Sequence, residues 1–172
     1  MPFNCDRCVV DTNVLSDFYE ADCLEIIWNL FTGGVWVDPY VCEELKRRFG
    51  IDVALCLQQK NLAYHYTNNL TEESYIEMAE IKARKNALKT ADILCIIYSK
   101  LNDATCLSAD GAVVRICVER DVKVARHGGI LEEALRRRHI TKQEALRLFT
   151  MFLGQGLMMS QALRQEFIQR FS

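Results

Sequence analysis

Several features that define other classes of protein are missing from this chain of 172 residues. No apolar run approaches the ~20 residues that a membrane-spanning helix needs, and residues 1–7 contain no apolar segment typical of a signal peptide. Proline and glycine are scarce, with two and eight residues, and the chain shows no repeat or low-complexity stretch. These absences predict an intracellular, cytoplasmic protein without a membrane span or a long linker.

An excess of positive charge is also missing, because the formal net charge is −2 at pH 7. Proteins that simply coat nucleic acid are usually basic, so the charge argues against that class. An enzyme that touches a few phosphates and binds metal through carboxylates need not be basic, and a nuclease therefore stays open. Hydrophobic residues make up 50% of the chain, which is enough for a packed core.

Clusters of cysteine and histidine that would hold zinc are not evident either. Cys5 and Cys8 form a single CxxC pair, but no second pair or Cys/His cluster has a matching spacing. We interpret most of the eight cysteines as small buried hydrophobes, with a metal or redox role for the CxxC pair as the minor alternative. His65, His127 and His139 are scattered along the chain.

Short β-prone runs alternate with helical patterns in the first three quarters of the chain. The pattern predicts strands at residues 7–10, 35–37, 62–66, 105–108 and 122–124, with one or more helices after each. Asp38-Pro39 is a helix-start signal, Thr71 and Thr90 are predicted to begin later helices, and a stop is expected near Gly50. This alternation is typical of an α/β fold with a parallel sheet.

The last part of the chain, after about Gly128, has only helical patterns. We predict helices at residues 131–138, after a capping box that Thr141 opens, and after Ser160. This tail is expected to pack on the preceding domain or on a partner chain.

Acidic residues fall at the points where ligands of parallel sheets usually bind. Asp11 follows the first predicted strand and Asp110 follows the fourth, so both should lie at the carboxyl edge of the sheet. Asp92 lies in the first turn of a buried helix, and Glu44 or its neighbour Glu43 lies in the helix after the second strand. Converging carboxylates repel one another unless a cation lies between them. Mg²⁺ and Mn²⁺ prefer such oxygen ligands, so the pattern favours a metal-dependent phosphodiesterase.

Each acid also has a purely structural explanation. Asp11 and Asp110 suit helix N-caps, and Asp92 suits a helix start. Glu43 and Glu44 could form a solvated face paired with Arg47 and Arg48. We favour a shared site because the four acids have these positions together.

Four segments carry a resemblance to PIN-domain proteins. Residues 8–15 (CVVDTNVL) resemble the opening motif, and residues 41–45 (VCEEL) are similar to the second, in which the acid directly before the leucine is Glu44. Residues 91–97 (ADILCII) resemble the third motif and residues 107–110 (LSAD) the fourth. The order and spacing match across residues 7–125. The chain departs from many members at Ala109, where a further Asp or Asn is common, and at Arg126-His127, where Gly-Thr is common in the subgroup with a C-terminal helical extension.

The resemblance implies a three-layer α/β/α sandwich with a parallel sheet at residues 1–127, and a C-terminal helical extension at residues 128–172. It implies an endoribonuclease that uses Mg²⁺ or Mn²⁺ to cut single-stranded RNA, and it makes Asp11, Glu44, Asp92 and Asp110 the catalytic and metal-binding residues. It further implies a homodimer, and an antitoxin protein as partner if the chain is the toxin of a toxin–antitoxin pair.

The residues that could assist the four acids are also open to more than one interpretation. Thr12 and Asn13 either bind the metal ligands or substrate or form ordinary turn contacts, and Ser108 could orient the site. Basic residues that could contact RNA phosphates, or could simply form a solvated face, are Arg84, Lys85, Lys89, Arg115 and the run at 136–138.

Two other functions compete with a ribonuclease. One is a non-catalytic PIN-like interaction module. The other is a phosphohydrolase with Asp11 as nucleophile, which is disfavoured because such enzymes usually have a second Asp two residues on, where this chain has Asn13.

Overall fold

The computed structural model describes residues 5–68, 70–157 and 160–171, which form five strands and ten helices. The strands are β1 (Arg7–Val10), β2 (Gly34–Val37), β3 (His65–Tyr66), β4 (Thr105–Leu107) and β5 (Val124–Ala125). The helices of the first half are α1 (Thr12–Glu20), α2 (Glu25–Leu30), α3 (Pro39–Phe49), α4 (Val53–Gln59) and α5 (Glu72–Arg84). Those of the second half are α6 (Thr90–Leu101), α7 (Gly111–Glu119), α8 (His127–Arg136), α9 (Lys142–Gly154) and α10 (Gln161–Phe171). No helix in these ranges is long and apolar enough to cross a membrane.

The strands form one parallel sheet in the order β3-β2-β1-β4-β5. β1 is central, and its last three residues are fully buried, as expected for a strand covered on both faces. The strand order changes direction at β1, because β2 and β3 lie on one side of it and β4 and β5 on the other. α/β proteins usually bind ligands in the crevice that such a change of direction creates at the carboxyl ends of the strands.

Side chains alternate between two hydrophobic cores, one on each face of the sheet. Cys8 and Val10 point to a core that contains apolar residues of α1 to α4 and of α8 to α10. Val9 and Cys106 point to a smaller core formed mainly by α5, α6 and α7. The fold is therefore the predicted α/β/α sandwich with a parallel sheet and additional C-terminal helices.

The C-terminal helices pack on the α1–α2 side of this domain. Phe167 of α10 stacks on Phe149 of α9 with ring centroids 3.8 Å apart, and Arg137 donates to the Leu30 carbonyl at 3.0 Å. Their apolar residues belong to the same core as those of α1 and α2. The division of the chain at residue 128 stays a prediction.

Capping signals located most helix ends correctly. Asp38 accepts the Tyr40 N–H at 2.8 Å at the start of α3, and Gly50 ends that helix in the left-handed conformation with φ 69°. Thr141 accepts the Glu144 N–H at 3.2 Å, and Ser160 accepts the Leu163 N–H at 3.3 Å.

Four predicted boundaries were wrong, among them the fifth strand, which lies at Val124–Ala125 instead of residues 122–124. Thr90 does not cap α6: it is the first helical residue, and Lys89 is the N-cap because its backbone N–H is bound by Asp92 within the helix. The third strand is limited to two residues instead of residues 62–66. The helix expected at 131–138 begins four residues earlier, at His127, where the Ile130 N–H already donates to the Arg126 carbonyl at 3.0 Å.

Candidate functional site

Asp11 lies at the carboxyl end of the central strand. Its backbone N–H continues the sheet ladder by donating to the Leu107 carbonyl at 3.0 Å. Its side chain, only 2% exposed, accepts the Thr12 N–H at 2.6 Å and the Ser108 hydroxyl at 2.8 Å. Asp11 is thus the N-cap of α1, as its structural explanation required, and also a buried acid at the crevice edge.

Glu44 reaches the same edge from α3. One carboxylate oxygen, Oε2, accepts the Thr12 hydroxyl at 3.0 Å. The other, Oε1, accepts Lys89 Nζ at 2.5 Å and Arg48 Nη1 at 3.0 Å. Its neighbour Glu43 is exposed, so Glu44 is the acid that faces Asp11 through Thr12.

Asp92 and Asp110 complete the acidic group, and both are half-buried. Asp92 accepts the Lys89 backbone N–H at 2.8 Å in the first turn of α6. Asp110 caps α7 by accepting the Ala112 and Val113 N–H groups at 2.6 and 3.2 Å. The Asp110 N–H donates in turn to the Ser108 hydroxyl at 3.2 Å, so Ser108 links Asp110 to Asp11.

Burial and repulsion between neighbouring acids raise the pKa values of Asp11 and Asp92. Burial, followed by the negative charge of Asp92, raises the pKa of Asp11 to about 7, although hydrogen bonds from Ser108 and Thr12 act in the opposite direction. Burial also raises the pKa of Asp92, with Asp110 and Glu44 adding repulsion against the stabilising Lys89 N–H. The four acids are therefore close enough to interact electrostatically.

Glu44 differs from the other acids because cations already surround it. Burial by itself would raise the pKa of Glu44, but hydrogen bonds from Lys89, Arg48 and Thr12 outweigh burial and hold that pKa below its usual value. Its charge is thus balanced by protein groups, whereas Asp11 and Asp92 have no cationic side chain bound to them within the described residues.

The donor set fits a hard divalent cation in its chemistry. Asp11, Asp92 and Asp110 offer carboxylate oxygens. Burial and neighbouring acids raise the pKa values of Asp11 and Asp92, so their charged forms are disfavoured, and a bound cation would stabilise those forms. In the ranges that the structure describes, however, no three acidic, His or Cys side chains are already arranged as a metal-binding group. The metal-ligand set stays a prediction, and Glu44 is the member that the geometry supports least.

The auxiliary residues have different surroundings. Thr12 and Ser108 each contact site acids through their hydroxyls. Asn13 is exposed and lines an open cleft, and no hydrogen bond joins its side chain to an acid in the described part of the chain. Roles for all three in catalysis remain predictions.

Two open clefts flank the acids. The α3–α6 cleft, of about 340 Å³, is lined by Tyr40, Glu43, Glu44, Arg47, Lys89, Thr90 and Ala91. The α1–α7 cleft, of about 360 Å³, is lined by Asn13, Asp17, Ala109, Asp110, Gly111 and the residues 155–157 that follow α9. The C-terminal extension thus supplies one wall of the second cleft.

Sequence reasoning missed a buried pair beside the α1–α7 cleft. His127 Nε2 lies 2.8 Å from Asp17 Oδ2, and its ring packs between Phe18 and Phe152. Its Nδ1 is buried without a hydrogen-bond partner among the described residues. No sequence signal could have joined two residues so distant along the chain, whereas the Glu44–Arg48 contact was visible as an i, i+4 pair.

Most of the predicted RNA-contacting cations are engaged with protein acids. Arg84 pairs with Glu119 at 3.2 Å, and Arg136 and Arg137 both bind Glu133, at 2.6 and 2.7 Å. Arg136 and Arg137 of the basic run therefore form ion pairs at the end of α8. Lys89 is the predicted cation that lies at the site itself.

Comparison with known proteins agrees with this geometry. A family model described as a PIN domain matches residues 7–172, which includes all five strands and the C-terminal helices. No curated protein matches the chain.

Proposed function

This chain belongs to the PIN-domain family, whose members are generally nucleases, and we propose that it is a metal-dependent endoribonuclease that hydrolyses single-stranded RNA. The observation that carries the proposal is the burial of Asp11 beside Asp92 at the carboxyl end of the central strand. A fold that only needed a helix cap there would not require a second carboxylate close enough to raise the pKa of the first.

In the proposed site, Asp11, Asp92 and Asp110 would hold one or more Mg²⁺ or Mn²⁺ ions. Such an ion, when bound, supplies positive charge for the scissile phosphate and lowers the pKa of a coordinated water. Ser108 orients Asp11 through its hydroxyl and accepts the Asp110 N–H, so it fixes the positions of two acids. Thr12 joins Asp11 and Glu44 and sets the spacing between α1 and α3.

Cleavage of single-stranded RNA in the presence of Mn²⁺ tests the proposal. We expect Asp11→Asn to reduce the cleavage rate at least about a hundredfold, because even outer-shell changes at metal sites lower activity ten- to a hundredfold. Asp103→Asn is the matched control: Asp103 is an exposed acid that pairs with Lys123, and its left-handed φ of 46° suits asparagine. The proposal is wrong if wild type, Asp11→Asn and Asp103→Asn all cleave alike or not at all.

A second candidate function, a non-catalytic PIN-like interaction module, is favoured by one observation. Lys89 and Arg48 occupy Glu44 Oε1, so this acid is already neutralised by the protein. Calorimetric titration with Mn²⁺ separates the two functions. The module predicts no metal uptake that depends on Asp11, whereas the nuclease predicts uptake by wild type that Asp11→Asn abolishes.

The predicted protein partners, an antitoxin and a second copy of this chain, are based on the family resemblance alone. Control by an antitoxin and assembly into a dimer are predictions of that kind, and the sequence favours neither one beyond the family likeness.

A further inference from the structure

The α3–α6 cleft combines groups that suit a nucleic-acid strand. Tyr40, Glu44 and Arg47 are spaced i, i+4, i+7 and therefore lie along one face of α3, about 10 Å in length from end to end. Across the cleft, Lys89 stands at the start of α6. Because Glu44 is part of the acidic group, this face leads directly into the proposed site.

In the part of the chain that the structure describes, no hydrogen bond or ion pair involves the side chains at the two ends of this helix face. Tyr40 is 53% exposed, although a tyrosine ring on a surface helix usually packs against a neighbour. Arg47 is exposed, and within the described residues it forms no ion pair or side-chain hydrogen bond. Lys89 has a side chain that is 58% exposed, so its ammonium can contact a further anion while it binds Glu44. A flat aromatic surface and two accessible cations thus line one cleft.

Charge distinguishes this cleft from its neighbour. The ionisable residues that line the α1–α7 cleft, Asp17 and Asp110, are both acidic. In the α3–α6 cleft, Arg47 and Lys89 balance Glu43 and Glu44, and Arg48 adds a further positive charge on Glu44. The residues that line the α3–α6 cleft therefore offer more positive charge to a polyanion that approaches the acids than the residues that line the α1–α7 cleft.

We propose, on the basis of the nuclease function above, that the α3–α6 cleft binds the single RNA strand next to the scissile phosphate. Arg47 and Lys89 contact backbone phosphates, and the Tyr40 ring stacks on an unpaired base. Stacking of this kind requires a base that is free of a helix, because paired bases already stack on their neighbours. The cleft therefore selects single-stranded over double-stranded RNA.

The first experiment measures the phosphate contact. A fluorescent single-stranded oligoribonucleotide is titrated with full-length Asp11→Asn protein, which serves as the non-cleaving background, over a series of salt concentrations. Adding Arg47→Gln should weaken binding and lower the slope of log affinity against log salt by about 0.7, the value for one phosphate contact on a single strand. Arg47→Lys should retain the slope. Arg164→Gln, at an exposed arginine of α10, is the control for loss of one charge.

The second experiment measures the base contact in the same background. Tyr40→Ala should weaken single-strand binding about tenfold, since stacking of a base on an aromatic ring contributes about 1–3 kcal/mol. Tyr40→Phe keeps the ring and should bind as the parent does. Binding of duplex RNA should be the same for Tyr40→Ala and the parent.

The outcomes separate this proposal from the proposed function. If wild type cleaves RNA but Arg47→Gln and Tyr40→Ala bind like Arg164→Gln, the cleft proposal is overturned and the nuclease stands. If no cleavage occurs but both variants lose single-strand affinity, the nuclease is overturned and the cleft stands as an RNA-binding surface. Competition by polyglutamate as strong as that by RNA, together with no effect of Tyr40→Ala, would make the cleft a general anion site and would also overturn the proposal.

Discussion

The α3–α6 and α1–α7 clefts begin at the same acids but differ in charge and in what surrounds them. On the α3–α6 side, Lys89 and Arg48 neutralise Glu44, and an exposed tyrosine and arginine lie beyond it. On the α1–α7 side, Asp17 is tied to a buried histidine and the C-terminal extension forms a wall. If both proposals hold, one edge of a parallel sheet offers a site for cations and, next to it, a site for a polyanion.

The largest expected effect concerns the acid between the two clefts. The folded-state pKa of Asp11, about 7, lies above its value in an unfolded chain, so the folded protein binds a proton more tightly. Below about pH 4 both states are protonated, and ionisation of Asp11 has no effect on stability. Between about pH 4 and 7 the free energy of unfolding falls as pH rises, and above pH 7 the full penalty, on the order of 4 kcal/mol, is constant.

Asp11→Asn should therefore raise the free energy of unfolding at pH 8 and remove most of this pH dependence, because asparagine carries no charge. Its Oδ1 can still accept the Thr12 N–H, and its Nδ2 can donate to the Ser108 hydroxyl oxygen in place of the hydrogen bond that Asp11 accepts there. Urea denaturation at pH 4, 6 and 8 measures both effects. Adding Mn²⁺ at pH 8 should stabilise wild type but not the variant, as expected for a ligand that binds only the folded state. A variant that is less stable than wild type at every pH would contradict this account of Asp11.

An intermediate effect is expected on removing Lys89, the cation that borders both the proposed metal site and the proposed RNA-binding cleft. Lys89→Met takes away an ammonium 2.5 Å from Glu44, so repulsion of an incoming cation falls, although Arg48 still donates to the same Glu44 oxygen. We expect Mn²⁺ to bind about tenfold more tightly, by calorimetry, since 1.4 kcal/mol corresponds to tenfold and charges near a surface interact by several kcal/mol. Single-strand RNA binding without metal should weaken in the same variant.

Lys123→Met is the control for this change, because Lys123 pairs with the exposed Asp103 and does not line either cleft. It should alter neither titration. Weaker Mn²⁺ binding by Lys89→Met would show that the lysine supports the metal site instead of competing with the cation.

The smallest effect is expected from a change of Asp17 in the acidic α1–α7 cleft. Asp17→Asn removes a negative charge from the α1–α7 cleft while its side-chain amide can still form a hydrogen bond with His127 Nε2. RNA affinity and cleavage rate should change less than about threefold, because an RNA strand on the α3–α6 side is separated from this partly exposed charge by screening solvent. A tenfold or larger loss of cleavage would make Asp17 a residue of the site, and the strand would then have to pass through both clefts.

Helix caps show which features of this fold can be predicted from short stretches of sequence. Asp11, Asp38, Asp110 and Thr141 were recognisable as helix starts because a cap binds a backbone N–H only one to three residues away. The same reasoning was wrong at Thr90, where the choice between adjacent residues depended on Asp92 binding the Lys89 backbone. The short β3 was overestimated because its length depends on how far β2 pairs with it.

The amino-acid sequence by itself determined the alternation of strands and helices, the burial of β1 and the positions of the four acids at element ends, because these follow from hydrophobic periodicity and local hydrogen bonds. Only the tertiary structure decided which groups those acids meet. Lys89 binds Glu44 across 45 positions of sequence, Ser108 binds Asp11 across 97, and His127 binds Asp17 across 110. Such contacts depend on the strand order and on the packing of α3, α6 and α8, which bring distant residues together without leaving a local pattern in the sequence.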